Sequence, residues 1–165
     1  MTPVFAGERL DWASAIGLFI INYGVLEWHV LVFLESRIPP TEFARLKDER
    51  KYFHDRLARV KLLIESDPYS AEQKTAFAKF FDRVEPIRML RNRIAHGHML
   101  VRADADGKSP MLTLSLPKDL DSNYAPETRH LEFQELTNAL AELTALIEEF
   151  KKLTGDWSDA KGANP

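Results

Sequence analysis

The sequence contains no cysteine, so disulfide bonds and thiolate chemistry are excluded. It also lacks a glycine-rich phosphate loop, a nucleophile elbow and a dinucleotide-binding fingerprint. Positive charge is not in excess, because the formal net charge is -3 at pH 7. A protein that coats nucleic acid without specificity is usually basic. Any contact with RNA is therefore expected to be local.

Targeting and metal-binding signals are missing as well. The opening residues MTPVFAGE show neither the charged segment nor the cleavage signature of a secretory signal. His54 and Asp55 are adjacent, but no third ligand follows at a spacing typical of a metal site. We therefore expect a cytoplasmic protein that uses no metal ion or other cofactor.

Length and periodicity predict the class of fold. The 165 residues fit a single domain, and 45% hydrophobic with 28% charged residues is typical of a folded soluble protein. Before Gly97 the apolar residues recur at helical spacing. After Gly97 two short runs, HMLVR and LTLSL, are typical of strands, and turn residues separate them. We predict a mainly α fold, an antiparallel helical bundle of four to five helices with a small β-hairpin inserted before the last helix. The domain should span residues 1–155, and residues 156–165 should form a flexible tail.

Prolines, glycines and caps divide the helical part. A first helix should run from about Leu10 to Arg37 and end at Pro39-Pro40. Thr41 is the predicted N-cap of one long second helix, which Asp67-Pro68 ends.

The later helices carry equally clear signals. Ser70 and Gln73 form a predicted capping box for the third helix, and Pro86 should kink or split that helix. Gly97 can end it in the left-handed conformation, and Gly155 can end the last helix in the same way.

The first helix is apolar on two faces. One predicted row consists of Ile16, Ile20, Tyr23, Val30 and Leu34, with Glu27 among them. The second consists of Leu18, Val25 and Val32, with Asn22 and His29 among them. Such a helix packs on its own bundle with one side, and the other side indicates a partner chain. The apolar stretch is nearly long enough to span a bilayer, but the polar residues in its middle favour a buried helix and no membrane contact.

The segment Arg91-Asn92-Arg93-Ile94-Ala95-His96-Gly97 combines groups that bind phosphate. Asn92 and His96 are four residues apart and share a helix face with Arg88, whereas Arg91 and His96 lie about 140° apart. The neighbourhood is a basic island, whose arginines are Arg83, Arg88, Arg91, Arg93 and Arg102 and whose one acid is Glu85.

These residue types suit RNA cleavage without a metal ion. The planar guanidinium of arginine matches a phosphate with two hydrogen bonds, and a histidine can act as acid or base near neutral pH. Attack by a ribose 2′-hydroxyl needs a base, an acid for the leaving oxygen and positive charge around the phosphate. Two such helix ends in a homodimer would supply all three.

The string Arg-Asn-x-x-x-His at Arg91, Asn92 and His96 resembles the arginine–histidine motif of HEPN (higher eukaryotes and prokaryotes nucleotide-binding) ribonucleases. The segment from Tyr23 to Glu27 also resembles the opening helix of several HEPN groups. The resemblance implies a helical bundle that dimerises through its motif helices and a metal-independent endoribonuclease that leaves a 2′,3′-cyclic phosphate. It further implies a toxin, often beside a nucleotidyltransferase-like antitoxin, or a protein of phage defence.

The expected roles divide the site residues into three groups. Catalysis is assigned to Arg91, Asn92 and His96. Guidance of RNA is assigned to Arg88, Arg93 and His98, and Glu27 is expected to support Arg91. Four alternatives stay open. His96 can serve as a structural cap of its helix, and Arg91 can be the structural partner of Glu27. The chain can also be a non-catalytic HEPN-like module that binds a nucleotide, an RNA or a protein partner, or it can associate with a membrane through its first helix.

Overall fold

The computed structural model describes residues 8–48, 53–96, 98–103, 110–116 and 127–155. Within these ranges the elements are α1 (Glu8–Arg37), α2 (Pro40–Asp48), α3 (Phe53–Ser66), α4 (Ala71–His96), β1 (His98–Ala103), β2 (Pro110–Leu116), β3 (Glu127–Glu132) and α5 (Phe133–Thr154). The prediction of a mainly α helical bundle with a small β element before the last helix is confirmed. The predicted tail, residues 156–165, and the predicted helix stop at Gly97 lie outside the described residues.

The chain divides into two compact units. The first, called the sheet unit here, draws on Met1–Tyr23 and Pro86–Leu143, and the second, called the α2–α3 unit, draws on Gly24–Glu85 and Thr144–Pro165. The division of α4 falls at Pro86, which has no amide hydrogen to donate to the carbonyl one turn earlier. The predicted split at this proline does not occur, because α4 continues through it as one helix.

The buried face of α1 shares Tyr23, Val30 and Leu34 with the first predicted row. It consists of Trp12, Ala15, Phe19, Tyr23, Leu26, Val30, Phe33 and Leu34. Ile20, also in the first predicted row, exposes 37% of its surface, whereas Phe19, which belongs to neither predicted row, is fully buried. Both faces of α1 are apolar, so the helical period alone left the choice open. The buried face carries Trp12, Phe19, Tyr23 and Phe33, whereas Trp28 is 58% exposed.

The second predicted helix is in fact two helices, α2 and α3, and residues 49–52 between them lie outside the described ranges. The predicted N-cap at Thr41 is wrong, because α2 begins at Pro40 and the amide of Phe43 donates to the carbonyl of Pro39 at 2.9 Å. Proline suits the first position of a helix, because an amide at that position would have no acceptor within the helix. The predicted buried residues of α3, namely Phe53, Leu57, Val60 and Ile64, are confirmed.

The predicted caps of α4 and α5 are confirmed. The amide of Ser70 donates to Oε1 of Gln73 at 2.9 Å, and the amide of Gln73 donates to Oγ of Ser70 at 3.2 Å. Each of these two residues thus uses its side-chain oxygen to accept a hydrogen bond from the other residue's amide, which has no partner within the helix. α5 ends at Thr154, and Gly155 follows with a φ of 82°, in the left-handed region that favours glycine.

Aromatic contacts mark the core of each unit. In the α2–α3 unit the ring of Phe150 lies 5.8 Å from that of Phe33 and 5.2 Å from that of Phe80. In the sheet unit the rings of Trp12 and Phe133 meet edge to face at 5.2 Å. Both separations are typical of favourable ring pairs, although Phe133 itself is 36% exposed.

The β element is an antiparallel sheet in the order β1-β2-β3. The predicted hairpin is its first half, with His98 opposite Ser115 and Val101 opposite Leu112. β3 was not predicted, since the loop after β2 was expected to lead directly into the last helix. In β3, Leu131 is fully buried while Glu132 is exposed, an alternation typical of a strand with one covered face.

Candidate functional site

The motif residues lie in the last two turns of α4. Ile87, Leu90 and Ile94 are about 95% buried and anchor this part of the helix in the sheet unit. The polar side chains therefore point to the other sides of the helix. Arg91 and Asn92 are half-buried, while His96, the last helical residue, is exposed.

Arg91 is held by an aromatic ring and an amide. The carbon of its guanidinium lies 5.5 Å from the centre of the Tyr23 ring, a distance at which a cation is attracted to the ring face. Its Nη1 donates to Oδ1 of Asn92 at 3.4 Å, a long and therefore weak hydrogen bond. Among the described residues of the sheet unit, Arg91 has no carboxylate partner. Its charge is not neutralised there.

Tyr23 is the site residue that the sequence analysis missed. The tyrosine was assigned to the apolar row of α1, and its side chain is indeed 98% buried, with 2% of its surface exposed. A buried tyrosine can still present its ring face to a cation. The sequence signal was a tyrosine among aliphatic residues on the buried face, but the sequence does not show that this face meets Arg91.

His96 differs from Arg91 in its surroundings. No hydrogen bond or ion pair joins its side chain to another described residue. Five residues separate it from Arg91, which corresponds to about 7.5 Å along the helix axis and a different side of the helix. One chain therefore offers the guanidinium and the imidazole on different sides of one helix end.

The other predicted site residues are placed as follows. Arg88 and Arg93 are half-buried on α4, and each takes part in an interaction with another residue. His98 begins β1, and its side chain lies outside the description. Glu27 is half-buried in the α2–α3 unit and also takes part in an interaction, and its predicted support of Arg91 stays a prediction.

The predicted basic island is smaller in the structure than in the sequence. Arg83 belongs to the α2–α3 unit, where Nη1 of its guanidinium pairs with Oε2 of Glu149. This ion pair neutralises a charge that the sequence analysis had counted toward RNA binding. The side chain of Arg102 lies outside the description. Arg88, Arg91 and Arg93 are the described arginines of the island that belong to the sheet unit.

Comparisons of the chain with family models, with curated proteins and with solved structures give no match. Within the described ranges, no group of three or more histidine, aspartate or glutamate side chains is arranged to hold a metal ion. One described helix, Asp11–Arg37, is long and apolar enough to cross a membrane by length and composition, and 28% of its most apolar window is buried.

Proposed function

We propose that this protein is a metal-independent endoribonuclease of the HEPN type, in which Arg91, Asn92 and His96 form a composite site between two copies of the chain. The observation that supports the proposal is the state of Arg91. Its guanidinium lies against Tyr23 and Asn92 without a carboxylate partner in its unit, one and a half turns before an exposed histidine.

The surroundings of Arg91 favour an anion as its ligand. An arginine already paired with a carboxylate would have to exchange that partner for a phosphate, whereas Arg91 has no such pair to break in the described sheet unit. The contact with Tyr23 and the hydrogen bond from Nη1 to Asn92 restrict the guanidinium, whose planar fork has a further N–H edge for a ligand. A phosphate accepts two parallel hydrogen bonds from such an edge.

The proposed reaction uses these groups in one transfer. The ribose 2′-hydroxyl gives its proton to a base, and its oxygen attacks the neighbouring phosphorus. The bond from phosphorus to the 5′-oxygen breaks, and that oxygen takes a proton from an acid. The products are a 2′,3′-cyclic phosphate and a 5′-hydroxyl end. The His96 imidazoles of the two copies serve as base and acid, and Arg91 stabilises the charge that builds on the phosphate.

The test is cleavage of a mixed RNA pool by the purified protein in EDTA. The wild type should cleave and leave cyclic-phosphate ends, and His96→Ala should lose cleavage while it keeps its helical circular dichroism spectrum. His54→Ala is the matched control, because His54 is an exposed histidine on α3 in the other unit. Equal cleavage by wild type and His96→Ala contradicts the assignment of His96.

The same experiment separates the alternative, a non-catalytic module that binds a nucleotide, an RNA or a protein partner. In that case neither protein cleaves, and RNA binding measured by fluorescence anisotropy depends on Arg91 but not on His96. A role as a toxin or in phage defence follows only from active cleavage. It predicts growth arrest on expression of the wild type, and normal growth with His96→Ala or with a cognate nucleotidyltransferase-like antitoxin.

A further inference from the structure

A groove runs between α3 and the first half of α4, entirely within the α2–α3 unit. Its volume is about 330 Å³. Sites for small molecules usually have volumes of ~300–1,000 Å³, so this groove is at the small end of that range. At ~30 Å³ for each non-hydrogen atom, the packing of liquid water, it has room for roughly eleven such atoms. The groove therefore has the size of a small metabolite with one ring or one branched chain.

The floor of the groove is apolar and held in place by packed rings. Ile64, Phe77 and Phe81 line it, and all three are buried. The rings of Phe77 and Phe81 are stacked with their centres 6.3 Å apart, and the Tyr69 ring meets Phe77 edge to face at 5.5 Å. These contacts restrain the floor. An apolar part of a ligand would therefore meet a surface that is already formed.

Both ends of the groove carry one positive and one negative side chain. At the end beside the turn between the helices, Nζ of Lys74 donates to the main-chain carbonyl of Glu65 at 3.0 Å. At the other end, Nζ of Lys61 lies 4.9 Å from the centre of the Phe81 ring, and Asp82 follows Phe81 in the chain. Among the described residues, the carboxylates of Glu65 and Asp82 form no ion pair or hydrogen bond. They are available to a ligand.

The end formed by Lys74 and Glu65 suits a head group that carries both charges. An ammonium has three donors, so Lys74 keeps two after its bond to the carbonyl. The end of α3 and the start of α4 lie here, so the helix dipoles add partial negative charge near Glu65 and partial positive charge near Lys74. Glu65 would repel a simple anion, and Lys74 would repel a simple cation. A ligand with an ammonium beside a carboxylate can pair with both.

We propose that this groove binds a free α-amino acid with an apolar side chain. The carboxylate of the ligand lies on Nζ of Lys74, its ammonium lies on the carboxylate of Glu65, and its side chain covers Phe77 and Ile64. Asp82 is eight residues after Lys74 on α4, about 12 Å along the helix axis. This length leaves room for one aromatic or branched side chain before the charges of the far end. The inference does not rest on the proposed function, because none of the lining residues belongs to the composite site.

The first test is titration of the full chain with L-phenylalanine and with L-leucine, followed by the shifts of backbone amide signals in NMR spectra. At least one should bind saturably at concentrations up to ~10 mM, tenfold above a dissociation constant of ~1 mM. The shifts should concentrate on α3 and the first half of α4. Absence of binding by both, or shifts confined to other parts of the chain, overturns the site.

Three related compounds test whether both charges of the head group are read. L-phenylalaninamide lacks the carboxylate, and N-acetyl-L-phenylalanine lacks the ammonium. Each should bind roughly fivefold more weakly than L-phenylalanine, the effect of one partly exposed ion pair. L-glutamate keeps the head group but has a charged side chain, so it should not bind the apolar floor. Equal affinity for all four compounds overturns the proposed ligand class.

Variants of the two head-group residues assign each charge. Lys74→Gln should weaken L-phenylalanine roughly fivefold and leave L-phenylalaninamide unchanged, because only the first compound has the carboxylate that Lys74 contacts. Glu65→Gln should weaken L-phenylalanine and leave N-acetyl-L-phenylalanine unchanged. Lys79→Gln is the matched control, since Lys79 is exposed on α4 and does not line the groove.

A further variant tests the groove without a change of charge. Ala78 lines the groove and is exposed on α4, so Ala78→Trp should fill the space and abolish binding while the helical circular dichroism spectrum stays the same. Binding by folded Ala78→Trp with wild-type affinity overturns the groove as the site. Wild-type affinity of Lys74→Gln and Glu65→Gln for every compound overturns the placement of the head group.

Discussion

The guanidinium of Arg91 lies 5.5 Å from the centre of the Tyr23 ring, so the buried face of α1 orients the first residue of the motif on α4. Tyr23 and Arg91 are far apart in sequence but belong to the same unit. The contact restricts a charged, flexible side chain before any ligand binds. This reduces the rotamer entropy that phosphate binding would otherwise cost.

Removal of the Tyr23 ring should weaken RNA binding. Tyr23→Phe keeps the ring face and should retain affinity, whereas Tyr23→Leu should lower affinity roughly fivefold, as expected for the loss of a partly buried cation–π contact. Fluorescence anisotropy with labelled RNA measures the effect. Both variants must first show cooperative unfolding, since Tyr23 is also a core residue. Equal affinity of folded Tyr23→Leu and Tyr23→Phe would show that the ring does not orient Arg91 for RNA.

The planar shape of Arg91 should matter as well as its charge. Arg91→Lys keeps the positive charge but loses the planar donor fork, so we expect cleavage to fall roughly 100-fold, as for the loss of a transition-state donor. Single-turnover cleavage in EDTA measures the rate. Arg45→Lys, an exposed position on α2, is the matched control and should cleave like the wild type. A fully active Arg91→Lys would mean that Arg91 supplies charge alone.

The capping box at the start of α4 should contribute measurably to stability. Ser70→Ala removes the acceptor of the Gln73 amide and should lower the free energy of unfolding by about 1 kcal/mol. Ser66→Ala is the control, because its hydroxyl only donates to the carbonyl of Leu63 within α3, and the change should stay below about 0.5 kcal/mol. Urea denaturation followed by circular dichroism gives both values. Equal effects would mean that the box does not stabilise α4.

Two glycines should respond to alanine with opposite signs. Gly155 has a φ of 82°, which alanine adopts at a cost, so Gly155→Ala should destabilise the fold by about 1 kcal/mol. Gly24 lies within α1 with open space around its missing Cβ, so Gly24→Ala should stabilise the monomer by about 0.5–1 kcal/mol through helix propensity. Thermal unfolding followed by circular dichroism measures both changes. A destabilising Gly24→Ala would reveal a close contact at that face.

The sequence predicted the helices better than it predicted which surfaces they bury. The bounds of α1 and the caps at Ser70 and Gly155 follow from local chemistry, and the structure agrees with them. The buried face of α1 does not follow, because Phe19 and Ile20 are both apolar and tertiary packing alone decides between them. α2 begins one residue before the predicted cap because Pro40 suits a first helical position better than Thr41.

The parts of the fold and of the site that the sequence did not predict depend on partners distant in the chain. β3 is a polar run whose strand conformation comes from pairing with β2, and a local pattern cannot reveal that partner. The ion pair between Arg83 and Glu149 removes one arginine from the predicted island, since the two residues are 66 positions apart. Arg91 was correctly placed at the end of a helix, but its contact with Tyr23 requires two helices to meet.

The short connection between α4 and β1 has a consequence for His96. The last turn of a helix usually frays, because its carbonyls lack intrahelical partners. α4 ends at His96, and β1 starts only two residues later at His98, which is registered against Ser115 of β2. The histidine thus lies between two hydrogen-bonded ladders of the same unit, and its backbone should exchange amide hydrogen more slowly than an ordinary helix end. An exposed imidazole on a restrained backbone combines access for a substrate with a small loss of chain entropy on binding.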